Sequence, residues 1–452
     1  MEIRDTLAVV DDHAFYARTV RQAHSVQSLA GILECAEARH WSHVWVVPGT
    51  QLSQICSVPG ELPGWSMATI GQDRYRYLSA RRVEARHDSR IQIGFAEWLD
   101  SAWPWKKVRT PRDLFYTVAY LEHMLNLPVE WTPARVGLEY IRGNHQKSWD
   151  WFQPLKTNLE EEPRFHGQFR YENCCPEIKF RGELPADARY IVKLDKNSAF
   201  PAACTGLFLG TGEPVICGPG PEAQMEYDAH RAGFWYCDLN PRQSLYDGRR
   251  APGFTGRRWL TTDLVEQLRK IGYAITPILG AYWSERHQIL RRDMTHLWQL
   301  RQMAKKRRQE AVAWECVYES IGAIMHAIPG KLGDVDGRDP HFRRRDWWAL
   351  IVGRAPATLL AGIEDIRKKT GLLPVLVGSN DSLWYAVPCA DPVQALPGTI
   401  DRDQLGGFKE MYMLKVSDEL RGWFADPQEK VIKRLNELAR QKQTARAGGA
   451  CV

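Results

Sequence analysis

Over the first 130 residues, short apolar runs alternate with longer amphipathic ones. Residues 6–10, 43–47 and 90–95 read as strands, and 26–38 and 111–125 as helices. That alternation predicts an α/β domain. Thr132-Pro-Ala-Arg-Val-Gly-Leu-Glu-Tyr-Ile141 predicts a helix, with Pro133 at its first position behind a Thr cap. The polar, acidic stretch 157–163 reads as a linker, and 164–200 as two or three strands ending near Asp195. A Gly/Pro-rich stretch at 206–221 predicts an extended loop or irregular hairpin. A strand at 233–239, a loop at 241–256 and a helix at 262–271, stopped by Gly272, follow. From 284 to about 325 there is no proline and one glycine, Gly322, which predicts a long helical hairpin turning near 302–309. A helix at 356–369 feeds a β-hairpin, and a last helix at 426–443 leads into an Ala/Gly-rich tail expected to be disordered. No internal repeat interrupts this order.

Composition narrows the class. A hydrophobic fraction of 44% and a charged fraction of 25% are those of a soluble globular protein. No apolar run approaches the length of a membrane span, and Met1-Glu-Ile-Arg-Asp lacks signal-peptide architecture. The ten cysteines form no C-x-x-C pair and show no zinc spacing, so reduced thiols and a cytoplasmic location are expected. The net charge of +6 permits a polyanionic partner without requiring one. Its distribution says more: five positive charges fall within the eight residues 301–308.

Two segments carry candidate chemistry. Ile191-Val-Lys-Leu-Asp-Lys-Asn-Ser-Ala-Phe-Pro201 and Val375-Leu-Val-Gly-Ser-Asn-Asp-Ser-Leu-Trp-Tyr385 are apolar runs, each delivering one carboxylate at its end or at a turn. Two carboxylates brought together can hold a pair of Mg²⁺ ions for phosphoryl transfer. After Asp195 the strand must turn at once, so backbone N–H groups would stand beside the carboxylate, as nucleotide phosphates require. The first segment matches D-x-x-S-L-Y-P, with Phe200 in the Tyr place. The second is similar to Y-x-D-T-D-S, with Val377, Ser379 and Asn380 in the places of Tyr, the first Asp and Thr. These are motifs A and C of family B DNA polymerases, and the chain resembles a small member of that family.

The resemblance extends across roughly 130–415. Phe165-His-Gly-Gln168 stands where the protein-primed phage type has Y-x-G-G, a template-binding loop, and Thr132-Pro-Ala…Gly137-Leu is similar to a Thr-Ala-Gly-Ser stretch of that group. Gln404-Leu-Gly-Gly-Phe-Lys409 is similar to the L-G-x-F-K segment after motif C. Motif B, K-x-x-x-N-S-x-Y-G, is poorly matched: registered on Gly322, its Lys place is Trp314 and its Asn place Tyr318. A triphosphate still needs a cation, and Lys305 and Arg308 lie on one helical face about two turns earlier. Ahead of the palm, Asp11 lines up with the Asp of an exonuclease D-x-E motif, but His13 takes the Glu place.

The resemblance implies an α+β polymerase right hand preceded by an α/β RNase H-like exonuclease-type domain. Its parts would be 1–130, an inactive exonuclease-type domain; 131–175, a linking region with the template loop; 176–283 and 331–400, the palm; 284–330, the fingers; and 401–452, a short thumb and tail. It implies two Mg²⁺ ions, for which Mn²⁺ can substitute, held by Asp195, Lys196 and Asp381. Asn197, Ser198, Ala199, Phe200, Lys305 and Arg308 would bind the nucleotide. Phe200 would exclude a ribose 2′-hydroxyl, favouring deoxynucleoside triphosphates. Phe165, Gly167 and Lys409 would bind template or primer DNA. A priming protein is implied if the likeness extends to protein-primed initiation. Ser379, Trp314, Tyr318 and His13 keep a second class open, a non-catalytic DNA-binding or scaffold protein derived from a polymerase. Untemplated tailing or primer synthesis is a third.

Overall fold

A computed structural model of the chain describes residues 7–10, 15–16, 28–46, 62–70, 77–83, 90–95, 103–105, 107–176, 178, 180–219, 221–241, 256–334, 342–379, 381–426 and 430–448. It divides into two compact units, Met1–Trp149 with Thr295–Lys331, and Asp150–Met294 with Leu332–Val452. Among the described residues, no helix is long and apolar enough to cross a membrane.

The first unit is built on a six-stranded mixed sheet. Its strands are β1 (Leu7–Val10), β2 (Phe15–Tyr16), β3 (His43–Val46), β4 (Trp65–Ile70), β5 (Tyr77–Arg82) and β6 (Arg90–Phe95), in the order β2-β1-β3-β6-β5-β4. β3 lies parallel to both β1 and β6. The helix Leu29–Ala38, capped by Ser28 on the Gly31 N–H at 3.2 Å, buries Leu29, Ile32, Leu33 and Ala36. That spacing is one helical stripe, and it packs with Val44, Val46, Leu78, Ala80, Ile91 and Ile93 of the sheet. Trp45 alternates to the other side, where Trp131 and Trp105 lie 4.5 and 5.1 Å away, centroid to centroid. A Cβ at Gly94 would fall 2.0 Å from the Trp131 ring, so only glycine admits that indole. The predicted helices at 111–125 and from Pro133 form as Pro111–Leu125 and Pro133–Asn144. Thr110 and Thr132 cap them, each at 3.1 Å.

The helical hairpin is present as Arg291–Arg307 and Val312–Leu332. Its turn comes at 308–311, slightly later than the sequence suggests. Asp11, His13 and the exonuclease-like reading built on them lie outside the described residues.

The second unit holds a five-stranded antiparallel sheet. Its strands are β7 (Phe180–Arg181), β8 (Tyr190–Lys196), β15 (Leu376–Ser379), β16 (Ser382–Val387) and β17 (Phe408–Lys415), in the order β17-β8-β16-β15-β7. Strand alternation splits its core in two. Val192, Leu194, Leu383 and Tyr385 face the helices Thr262–Lys270 and Arg345–Thr370. Ile191, Trp384 and Leu414 face Leu420, Phe424 and Leu435 from the C-terminal helices.

A second antiparallel sheet comprises β10 (Val215–Cys217), β13 (Tyr273–Trp283), β11 (Ala232–Pro241) and β12 (Gly256–Thr261), and β9 (Leu209–Thr211) pairs with β14 (Glu285–His287).

Four local readings change. Residues 206–221 are no hairpin, because β9 and β10 pair with distant strands rather than with each other. The expected linker forms 3-10 turns that bury Leu159 and Phe165. The helix read as beginning at Pro356 begins at Arg345 and runs through the proline, because Leu350, Ile351 and Ala355 ahead of it are buried with the rest of its face. Loss of one backbone bond at proline is offset by that burial. The last helix extends as Val431–Gly448, with a separate Asp418–Ala425 before it.

Candidate active site

β8 runs between β17 and β16, and its last residues leave the apolar core. Across the sheet, Asp195 stands directly opposite Lys409 of β17 on one side and Ser382 of β16 on the other. Opposed residues of antiparallel strands share a face, so Lys409, Asp195 and Ser382 form one row. The backbone of Ser379 in β15 is registered with Ser382 and continues that row. Asp381 sits in the turn before β16, and its carbonyl accepts from the Lys196 N–H at 2.8 Å. The backbones that carry the two aspartates are therefore joined by a hydrogen bond.

Lys409 Nζ lies 3.1 Å from Asp195 Oδ2. Partial burial pushes the Asp195 carboxyl above its usual range, Lys409 works against that, and the negative charge of Asp381 adds to it. Lys193, two residues back on the same face, contributes at longer range. Its ammonium is held by Asn436 Oδ1 at 3.3 Å, over the rings of Trp384 and Tyr412. Lys196 alternates to the opposite face, where burial, with Arg354 nearby, pulls its ammonium down to about 8. An ammonium cannot ligate a cation, so any metal contact from Lys196 would come from its main-chain carbonyl.

The turn after Asp195 is built around Asn197. Its N–H donates to the Gly407 carbonyl at 2.9 Å, and its carbonyl accepts from the Gly406 N–H at 2.9 Å. Its side-chain amide donates to the Arg402 carbonyl at 3.0 Å. The buried Asn197 side chain therefore ties the turn to the loop that leads into β17. Gly406 has φ +78°, and a Cβ there would meet Ala202 Cβ at 2.9 Å. The two glycines before Lys409 thus exist to let this loop interlock with the turn after Asp195. Ser198 is left-handed, at φ 50° and ψ 62°, and opens the helix Ala199–Gly206 without a side-chain cap. Its conformation costs on the order of 1–2 kcal/mol. Ala199 is buried and Phe200 half-buried.

No protein-family model matches the chain, and no curated protein does. Among solved structures it matches Phi29 DNA polymerase in a ternary complex with primer-template DNA and incoming nucleotide. The TM-score is 0.55 at 11% identity, over 92% of this chain and 85% of that one. The primer-template binary complex of the same polymerase gives 0.52 at 10% identity, over 90% and 84%. The fold is a Phi29 polymerase-like one. At such identity the likeness concerns fold, and the chemistry has to be argued from the residues.

The other expected site residues are placed as follows. Lys305 closes the helix Arg291–Arg307 and Arg308 is exposed in the turn after it. Both belong to the first unit, whereas Asp195, Asp381 and Lys409 belong to the second. Trp314 stacks on Tyr120 at 4.3 Å and lies under Arg307. Arg301 occupies the space that Gly322 leaves open and stacks over Tyr318. Phe165 is 1% exposed, packed on Trp259 and Phe169, so the loop after it can offer only other groups to a ligand. His166 and Gly167, both left-handed and exposed, are those groups. Reading along the sequence did not single out Lys193, Ser382 or Arg354; the first two are betrayed only by strand register.

Proposed function

We propose that the chain is a DNA-directed DNA polymerase that adds deoxynucleotides to a primer 3′-hydroxyl. The observation that carries this is the row Lys409–Asp195–Ser382 with Asp381 hydrogen-bonded alongside it, on a Phi29 polymerase-like fold. In this reading 176–283 and 331–400 form the palm, the helical hairpin 284–330 the fingers and 401–452 a short thumb, except that β17 (Phe408–Lys415) is the edge strand of the five-stranded sheet and belongs with the palm. Residues 1–130 are an exonuclease-type domain without proofreading, and 131–175 carry the template loop.

The donor set fits a hard cation. Asp195 and Asp381 are two carboxylates close enough for one to raise the other, on backbones joined by the Lys196 N–H to Asp381 carbonyl bond. Among the described residues no group of three His, Cys, Asp or Glu could hold a metal. Mg²⁺ commonly takes one or two carboxylates and completes its shell from substrate phosphates and water. Two Mg²⁺ ions, when bound, would activate the primer hydroxyl and steady the leaving pyrophosphate. The chain's own part is positional. Asn197 fixes the turn, the first amides of Ala199–Gly206 face an anion, and Phe200 limits the sugar to deoxyribose. Lys305 and Arg308 contribute phosphate contacts; Gly167 and Lys409 contact DNA, as would the loop beside Phe165. A protein hydroxyl is a further candidate primer.

The test is primer extension with Mg²⁺ by the wild type, Asp195→Asn and Asp381→Asn. Each variant should lose about 10²-fold or more in rate. Equal incorporation by all three would remove the site. A second reading, a DNA-binding protein without catalysis, is favoured by Ser379 in place of a carboxylate; primer-template binding with no incorporation in any of the three would select it.

A further inference from the structure

A single carboxylate cannot serve an ammonium and a divalent cation at once. The ammonium of Lys409 already occupies Asp195 Oδ2 at 3.1 Å. We propose that Lys409 is a resident counter-ion of Asp195, displaced when a divalent cation binds, and that nucleic-acid phosphate drives the exchange by drawing the lysine away. Metal loading and DNA binding are then coupled through one side chain. The inference rests on reading Asp195 and Asp381 as the cation site.

Charge counting supports the exchange. Asp195 and Asp381 are both carboxylates, and the Lys409 contact offsets the charge of Asp195. With Lys409 elsewhere, Asp195 Oδ2 is open to a divalent cation, whose shell substrate phosphates and water would complete. Lys193 cannot play this part, because Asn436 and two aromatic rings hold its ammonium. Lys409 differs in freedom: its side chain is 35% exposed, more than the 22% of Asp195. Its backbone, in contrast, is fixed. Phe408 beside it is buried in the core, and the Asp401 N–H donates to the Phe408 carbonyl at 2.8 Å. A fixed backbone with a partly exposed, singly paired ammonium is what a lysine needs to swing between two partners. The partner it would leave for is an anion arriving at the open side of the row, and the phosphate backbone of a primer is such an anion.

Mn²⁺ affinity measured by electron paramagnetic resonance on the full chain tests this without requiring turnover. Lys409→Met should bind Mn²⁺ about ten-fold more tightly than wild type in the absence of DNA, one pKa unit's worth of interaction. Lys409→Arg, which keeps the charge, should stay near wild type. Adding primer-template DNA should tighten Mn²⁺ binding in the wild type and leave Lys409→Met unchanged. Equal Mn²⁺ affinity in wild type and Lys409→Met, with or without DNA, overturns the coupling. If Asp195→Asn leaves the Mn²⁺ affinity of Lys409→Met untouched, the cation site itself is misassigned, and the inference falls with it.

Discussion

Two ion pairs in the second unit are made of the same chemistry and have opposite characters. Arg344 and Asp346 are each 1% exposed, and the guanidinium grips both carboxylate oxygens, at 2.9 and 2.7 Å. Arg344 also donates to the Gly210 carbonyl at 2.9 Å and to the Trp151 carbonyl, and lies 4.0 Å over the Trp347 ring. Lys409 and Asp195 meet through a single contact at 3.1 Å, with both side chains partly open to solvent. A buried guanidinium with four of its five N–H groups engaged has nowhere else to go, so the first pair is a clamp on the fold. A half-open pair with one contact can be traded for another ion at small cost. The difference separates structure from function within one unit: the candidate site lies where burial is incomplete.

The comparison breaks most visibly at the clamp. Asp346→Ala leaves the Arg344 guanidinium buried with carbonyl partners alone, and removing one member of a buried pair costs about 3–5 kcal/mol. Thermal unfolding should show a large fall in Tm. A change below about 1 kcal/mol would mean that water reaches Arg344 and that the two pairs are not different in kind.

A smaller effect is expected in the loop that positions Lys409. Gly406→Ala forces a Cβ to within 2.9 Å of Ala202 Cβ at a backbone angle, φ +78°, that favours glycine. Overpacking of this sort costs about 1–3 kcal/mol. Because the loop is pinned to Asn197, the displacement should also reach the row: Gly406→Ala should lose primer extension out of proportion to its stability. Unchanged activity alongside the lost stability would show that the loop is a scaffold only.

How much of this was legible along the chain depends on how local its cause is. The helices beginning at Pro111 and Pro133 were plain because cap, proline and apolar stripe lie within one turn. β13 was hidden by Pro277 and Gly280. The structure accommodates the proline opposite Cys237, where the pairing with β11 shifts register. Gly280 leaves room for the Trp235 ring. Neither reason is visible without the partner strand. The start at Arg345 was missed because proline is a local signal for a helix start, while burial of the preceding turns is a tertiary fact. At the site, Asp195 and Lys409 were marked by their neighbours in sequence, but their pairing depends on the register of β8 with β17. Arg344 and Asp346, two residues apart, carried no signal, since only burial distinguishes them from surface charges.

The smallest expected effect is also the most discriminating. If the Lys409–Asp195 pair is exchangeable, it should contribute little to stability, because solvent screens a partly exposed pair and holding a long side chain costs entropy. Exposed pairs contribute about 0.2–1 kcal/mol. Lys409→Met should therefore shift unfolding by no more than about 1 kcal/mol. The effect has a sign: removing the ammonium leaves Asp195 facing Asp381 with less compensation, which raises the Asp195 carboxyl further. A folded-state carboxyl raised above its unfolded value makes stability fall as pH climbs from the unfolded to the folded value. The deficit of Lys409→Met relative to wild type should thus be present at neutral pH and shrink as pH drops through the carboxylate range. A loss of 3 kcal/mol or more, independent of pH, would place Lys409–Asp195 with Arg344–Asp346 as a second structural clamp, and would leave the aspartate unable to exchange its partner.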